Sequence, residues 1–258
     1  MITVGWTARL YPTKAQRTHL ELCANHARGV WNRLVAAEKA QYEKDGTFLW
    51  KRELQALVVK WKHEPETAWM NELPAHALLD VCDRLDKALR KMKSGARFPR
   101  FKKKRWGQGM VYFVNQATKL SEGRIRLPKL GSVRLRGGDA PDGKLMGSRA
   151  IRDGDRWQLS AQFECADPEP LPPTDIRVGI DVGLRNIVTT FDGTETKREK
   201  APRPLRKSLK RLRRAQRCLA RRQKHSQRRA AQVRRVAAIH RKVRCKRAAI
   251  FCTSFQIG

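Results

Sequence analysis

From Lys200 to Gly258 the sequence contains no aspartate or glutamate. A stretch with one sign of charge cannot balance itself through internal ion pairs. It can fold only by burying an apolar seam and turning its charge outward. Two helical stripes supply that seam. Leu205, Leu209, Leu212 and Leu219 recur at helical spacing, as do Val233, Val236, Ile239 and Val243, with polar 223–228 between them. The pattern predicts a basic helical hairpin over 206–247. Exposed charged faces normally mix signs. This one does not, so a polyanionic partner is expected, with Arg206, Lys207, Lys210, Arg211 and Arg214 as candidate contacts.

The rest of the chain leans the same way, with 57 Lys and Arg against 24 Asp and Glu and a formal net charge of +33 over 258 residues. Nucleic acid is the first partner class for such an excess and a membrane surface the second. The membrane is disfavoured because the charge is spread over the whole chain and the hairpin's apolar stripe is thin and rich in alanine. No run of eighteen apolar residues is present, so no transmembrane helix is expected. The opening Met1-Ile2-Thr3-Val4-Gly5-Trp6 lacks the layout of a signal peptide. Six scattered cysteines and six histidines show no metal-ligand spacing, so no zinc is expected and the thiols read as reduced, in a cytoplasmic protein.

Ile2, Val4, Trp6, Ala8 and Leu10 alternate with smaller or polar residues, which predicts a half-buried strand ended by Pro12. Thr13 with Gln16 forms a capping box, so a helix follows, with an apolar stripe Leu20, Cys23, Ala27, Val30, Trp31 and Leu34 running towards Gly46. A second helix carries Leu54, Leu57, Val58 and Trp61. A third starts near Pro74, carries Leu78, Val81, Leu85, Leu89 and Met92, and is closed by Gly95. Next comes a basic run interleaved with aromatics: Arg97, Phe98, Arg100, Phe101, Lys102, Lys103, Lys104, Arg105 and Trp106. Positive charge holds phosphates and aromatic rings stack on unpaired bases. A solvated loop anchored by Phe98 and Phe101 explains the run equally well. Short strands are predicted at 111–114, 124–127, 132–135, 144–151 and 157–165, followed by a proline-rich connector.

The stretch 178–193 reads as two short strands joined at Gly183, with Asp192-Gly193 as the next turn. Asp181 falls near the end of the first strand. A carboxylate there suits a divalent cation, which prefers oxygen ligands, although an isolated D-x-G more often only caps a turn.

Five pieces of this sequence, in order, resemble the OrfB/TnpB-type proteins of insertion sequences, which are related to compact type V CRISPR effector nucleases. They are Leu10-Tyr11-Pro12-Thr13 with Gln16; Leu73-Pro74, Ala77-Leu78 and Leu85-Asp86-Lys87-Ala88; Phe98-Pro99-Arg100-Phe101-Lys102-Lys103-Lys104; Ile125-Arg126-Leu127-Pro128-Lys129-Leu130-Gly131; and Gly179-Ile180-Asp181-Val182-Gly183-Leu184-Arg185-Asn186. The resemblance implies an α+β chain. An N-terminal wedge-type β-barrel would span 1–166, with a helical recognition insertion at about 14–95. A linker at 167–174 would lead to the N-terminal part of a RuvC-like domain of the RNase H fold at 175–247, and 248–258 would be an unmatched tail.

It also implies a transposase-like, RNA-guided DNA endonuclease that cleaves by metal-dependent phosphodiester hydrolysis. The guide RNA would derive from the transposon end, the partner would be target DNA, and the protein would associate with the nucleoid when bound. Asp181 would be the first catalytic carboxylate and a ligand of Mg²⁺. The sequence departs from the family pattern after Glu199. The two later carboxylates and the cysteine-rich zinc element have no counterparts, so a C-terminally truncated member is expected. The alternative is a catalytically dead RNA- and DNA-binding remnant, or a decayed product with no function.

Overall fold

The computed structural model describes the chain apart from residues 104–108, 115, 117, 170–176, 184, 201–204 and 254–258, and apart from the side chains at 187, 205–207 and 246–253. It divides into two compact units, Met1–Asp167 and Pro168–Gly258. Most of the expected linker, from 170 onward, and the end of the expected tail lie outside the described residues.

The first unit opens with strand β1 (Ile2–Tyr11), followed by helices α1 (Lys14–Asp45), α2 (Lys51–His63) and α3 (Ala75–Lys93), with a 3₁₀ stretch at Pro65–Glu72. The start of α1 is held by the expected capping box. Thr13 Oγ1 accepts from the Gln16 amide at 3.3 Å and Gln16 Oε1 accepts from the Thr13 amide at 3.0 Å. Gln16 reaches further, because its Nε2 also donates to the carbonyls of Leu130 and Ser132 and ties the helix start to the sheet. Gly46 closes α1 with φ of 66°, a left-handed conformation that glycine adopts without a Cβ penalty.

Six further strands complete the sheet: β2 (Met110–Val114), β3 (Lys119–Ser121), β4 (Arg124–Leu127), β5 (Gly131–Arg136), β6 (Lys144–Asp153) and β7 (Arg156–Cys165). Five follow the expected strands; β3, three residues long, was not foreseen. Every pairing is antiparallel, in the order β2-β6-β7-β1-β5-β4-β3. The end strands β2 and β3 are neighbours in sequence. Only five residue steps separate Val114 from Lys119, a reach of roughly 17 Å. Seven strands laid flat would put them about 29 Å apart. The sheet must therefore curl. Among the described residues β2 and β3 are not paired with each other, so it curls without a recorded closing ladder.

The three helices do not form a separate bundle with a core of its own. Their buried faces, from Leu20 and Leu34 of α1 to Leu85 and Leu89 of α3, join Leu127, Val133, Trp157 and Leu159 of the sheet in one apolar cluster. The expected stripe residues of α1 are all buried. Ile2, expected to face inward, is instead exposed at the strand's end.

One buried group works against this core. Glu38 on α1 has no exposed surface; its Oε2 accepts from the Leu49 amide at 3.3 Å and its Oε1 has no partner among the described residues. Burial pushes its carboxyl up to about 7. The folded state thus holds a proton that the unfolded chain releases near its ordinary value. Stability from this group is present below that ordinary value and is lost as pH rises through about 7. Glu38→Gln should match the wild type near pH 4.5 and exceed it by about 3 kcal/mol at pH 8. All seven tryptophans lie in the first unit, so urea unfolding followed by tryptophan fluorescence measures this directly. Parallel pH profiles for the two proteins would refute it.

Candidate nucleic-acid interface

The second unit begins with a three-stranded antiparallel sheet, β8 (Gly179–Asp181), β9 (Asn186–Phe191) and β10 (Thr196–Lys200), in the order β10-β9-β8. The two expected strands are present. The third, which holds Glu199, is additional, because Thr196–Lys200 is too charged to look like a strand in sequence. Asp181 ends β8 opposite Thr189 and is exposed. Asp192 is committed to its turn, accepting from the Thr194 amide and hydroxyl and from the Glu195 amide at 2.7–2.9 Å. Those hydrogen bonds hold its carboxyl down at about 2. Among the described residues, no three His, Cys, Asp or Glu side chains gather where they could hold a metal ion. A two-metal centre needs several carboxylates to bridge ions about 4 Å apart. The donor set around Asp181 does not fit one.

The unit ends in helices α4 (Leu205–Ala220) and α5 (Gln227–Thr253), packed against each other as the expected hairpin. Ser226 caps α5 by accepting from the Arg229 amide at 3.1 Å. Arg229 in turn donates to the carbonyls of Leu219 and Arg222, and the Leu219 carbonyl also accepts from the Arg222 amide, so the exit from α4 is well tied. The seam is narrower than the sequence stripes suggested. Leu212, Ala215, Ile239 and Val243 are buried, while Leu209 and Val233 are exposed at 36% and 47%. Ala215, outside the expected stripe, joins the seam, and Gln232 is buried beside it, donating to its carbonyl at 2.9 Å.

Along this seam runs a groove of about 610 Å³, with exposed Lys210, Arg211, Arg214 and Arg235 around buried Ala215 and Ile239. Three of the expected contact residues are thus brought together, and Arg235 joins them from the other helix. Arg206 and Lys207 fall in the first turn of α4, with side chains outside the description. The groove can hold an extended polyanion against cations on both helices.

The basic run of the first unit divides differently. Phe98 and Pro99 pack inward, Arg97, Arg100 and Lys103 are exposed, and Lys104 and Arg105 lie outside the described residues. The Arg100 carbonyl accepts from Trp31 Nε1, and Asn32 exchanges two hydrogen bonds with the backbone of Lys102. Lys102 is not a solvated cation: its ammonium sits 3.4 Å from the Trp31 ring centroid and is half-buried. Phe98 anchors the run as the loop reading expected, but Phe101 is exposed. Sequence reasoning missed Arg84, which lies close to Lys102, and Arg149, which shares Asp80 with Arg84. Arg84 was visible as the i+4 partner of Asp80 on a helix; Arg149 needed the sheet register.

Comparison with known proteins places these features in a family setting. Residues 160–251 match a family model described as "Probable transposase", and residues 1–47 match one described as "Helix-turn-helix domain". In this structure the latter stretch is one strand and a single long helix. The chain is 30% identical over 189 residues to "Putative RNA-guided DNA endonuclease InsQ" of Escherichia coli K12, covering 72% of this chain and 46% of that protein. It is 25% identical over 204 residues to a similarly named protein of Streptomyces pristinaespiralis, covering 76% and 50%. The chain therefore spans about half the length of the curated relatives it matches. A Cas12f1–sgRNA–target DNA complex superposes with a TM-score of 0.48 at 10% identity, covering 95% of this chain and 76% of that one.

The hairpin's narrow seam makes a sharp prediction. Ile239→Ala should cost about 3 kcal/mol, enough to open α4 and α5. Hydrogen exchange on the full chain should then show fast amides in both helices and unchanged protection in the first unit. Added single-stranded polynucleotide should restore protection, since a ligand of the folded form stabilises it. Unchanged exchange in α4 and α5 would show that the seam does not hold the hairpin.

Proposed function

Because the chain belongs to the OrfB/TnpB-type family, we propose that it is the guide-RNA- and target-DNA-binding part of a transposon-encoded, RNA-guided DNA endonuclease, and that cleavage is not its own activity. The observation that carries this reading is the groove between α4 and α5, where cations from both helices converge with no acidic residue after Glu199 to neutralise them. Such a surface binds phosphates irrespective of base sequence, and sequence would be read by pairing between guide and target.

On this reading the curled sheet is a wedge-type barrel, α1–α3 are its helical recognition insertion, and β8–β10 are the first strands of a RuvC-like RNase H fold. The names of the curated relatives and the order of the matched segments support it. The second reading, cleavage by this chain, is favoured only by the position of Asp181 at a strand end. Were Mg²⁺ held there, Asp181 would be one oxygen ligand among several that this chain's described residues do not supply. Ile180 and Phe191, on opposite faces of that small sheet, and Val182 just past β8 are exposed apolar residues.

A salt titration tests the proposal. The chain should bind single-stranded RNA with an affinity that falls steeply as salt rises. Replacing Lys210, Arg211, Arg214 and Arg235 together by Ala should reduce the slope of log K against log salt by about 2–3. Asp181→Ala should leave both affinity and slope unchanged, and neither protein should cut a guide-matched duplex in Mg²⁺. Cleavage that disappears in Asp181→Ala would overturn the division between binding and catalysis. An unchanged slope in the fourfold variant would remove the groove from the interface.

A further inference from the structure

In the first unit, three cations crowd one carboxylate. Asp80 and Arg84 lie one turn apart on α3, with Arg84 Nε 2.8 Å from Asp80 Oδ2. Arg149 reaches across from β6 and places Nη2 2.9 Å from the other oxygen, Oδ1. Lys102 comes from the segment after α3, close enough for its ammonium to feel both Arg84 and Asp80. The Asp80 side chain is 7% exposed, and those of Arg84 and Arg149 are 23% and 35% exposed. Three positive charges against one negative leave an excess of two in a half-buried place, where charge is costly unless matched.

The surroundings hold these cations in place rather than neutralise them. Lys102 Nζ sits over the Trp31 ring, and the Arg149 guanidinium lies 5.2 Å from the Tyr112 ring centroid. Tyr112 and Arg149 are directly paired across β2 and β6, and at Gly147 on β6 a Cβ would come within 2.7 Å of the Tyr112 hydroxyl, so glycine gives that ring its room. The Lys102 backbone is locked to the Asn32 side chain on α1. Arg149 Nε is buried and has no acceptor among the described residues. The same guanidinium reaches Asp80 through Nη2 and leaves Nε without an acceptor there.

We propose that Lys102, Arg84 and Arg149 form a binding site for a backbone phosphate of single-stranded nucleic acid, with Trp31 and Tyr112 as its aromatic walls. A phosphodiester carries one negative charge and several acceptor oxygens. It matches a guanidinium fork with an unused Nε and an ammonium, and brings the local excess down by one charge. The site rests on the nucleic-acid reading above but involves none of the hairpin residues. In the free protein, burial and the neighbouring Arg84 push the Lys102 ammonium down to about 8, with Asp80 partly offsetting them. The charged groups facing it are Asp80 and Arg84 from α3, with Arg149 of β6 bound to the same Asp80; α1 offers the Trp31 ring and the Asn32 amide. A bound phosphate restores the proton. Binding therefore weakens as pH rises above about 8, where the free site has lost its charge.

The test uses the full chain, ten-nucleotide RNA and DNA oligomers without terminal phosphates, and three proteins: wild type, Lys102→Met and Lys102→Arg. At pH 7 Lys102→Met should bind about tenfold more weakly than wild type. Between pH 7 and 9 wild-type affinity should fall about tenfold through this group, while Lys102→Arg, charged throughout, should stay flat. Without nucleic acid Lys102→Met should melt no lower than wild type, because it removes a buried excess charge and keeps the stem against Trp31; inorganic phosphate should raise the wild-type melting temperature more than that of the variant.

Equal RNA and DNA losses place the contact on the shared phosphodiester; a loss confined to RNA or to DNA supports the same site with that polymer as its occupant. Lys102→Met binding as tightly as wild type, or Lys102→Arg showing the same pH fall, would overturn the proposal. So would a Lys102→Met protein that melts lower and gains as much from phosphate as wild type, since that marks a purely structural lysine. If wild type binds no oligomer while inorganic phosphate still separates the two proteins, the functional reading fails and an anion site remains. If the hairpin variant loses its salt slope while Lys102→Met is silent, only this inference fails.

Discussion

Fifty-seven basic side chains share twenty-four acidic ones, and the two units meet this shortage of counter-charge in opposite ways. In the first unit, scarce carboxylates are placed where several donors converge. Asp80 serves Arg84 and Arg149, while Asp86 takes both Arg90 and the amide of Lys51 at the start of α2. Each of these carboxylates is nearly buried, so each joins elements rather than decorating the surface. The pair on Asp80 links α3 to the sheet, and Asp86 links α3 to α2. In the second unit no acid follows Glu199, and arginines use backbone carbonyls instead. Arg222 and Arg229 satisfy the turn between α4 and α5 in this way. That device satisfies hydrogen-bond donors but cancels no charge.

The fold was legible wherever local chemistry decides. The Thr13–Gln16 capping box, the left-handed Gly46 and the helical stripes of α1 and α3 are all local patterns, and each element appears where its pattern puts it. What could not be read was long-range. That Gln16 also fastens α1 to the Leu130–Ser132 carbonyls depends on sheet register. The curl follows from the short path between β2 and β3, but only once the strand order is known. Strands β3 and β10 were missed because three residues, or five that are mostly charged, give no usable alternation. The helices and sheet share one core because both bury apolar faces towards it, which the sequence alone does not distinguish from a detached bundle.

The candidate site was legible in type more than in geometry. Lys210, Arg211 and Arg214 were singled out from a charge run, and the structure supplies the reason they act together: one groove with Arg235. Lys102 was singled out from a run too, yet it behaves unlike its neighbours. Arg97 and Arg100 face solvent, where a charge costs little, while Lys102 is drawn in by Trp31 and Asn32. Two positions in one basic motif thus have different energetics, and only packing separates them. Arg149 shows the same limit, since nothing local marks it as the partner of Asp80.

The thin seam of the hairpin gives this charge arrangement a thermodynamic consequence. Burying Leu212, Ala215, Ile239 and Val243 contributes only a few kcal/mol at about 25 cal/mol per Å², and like charges along both helices oppose the packing. On the proposed function, nucleic acid that recognises cations from both helices would bind the closed hairpin and not the open one. Its binding free energy then adds to the stability of the hairpin. The order of α4 and α5 and their affinity for polyanion are therefore one linked quantity. Substitutions in the apolar seam must weaken binding without touching a phosphate contact, and substitutions of groove arginines must relieve repulsion in the free hairpin while they weaken its complex.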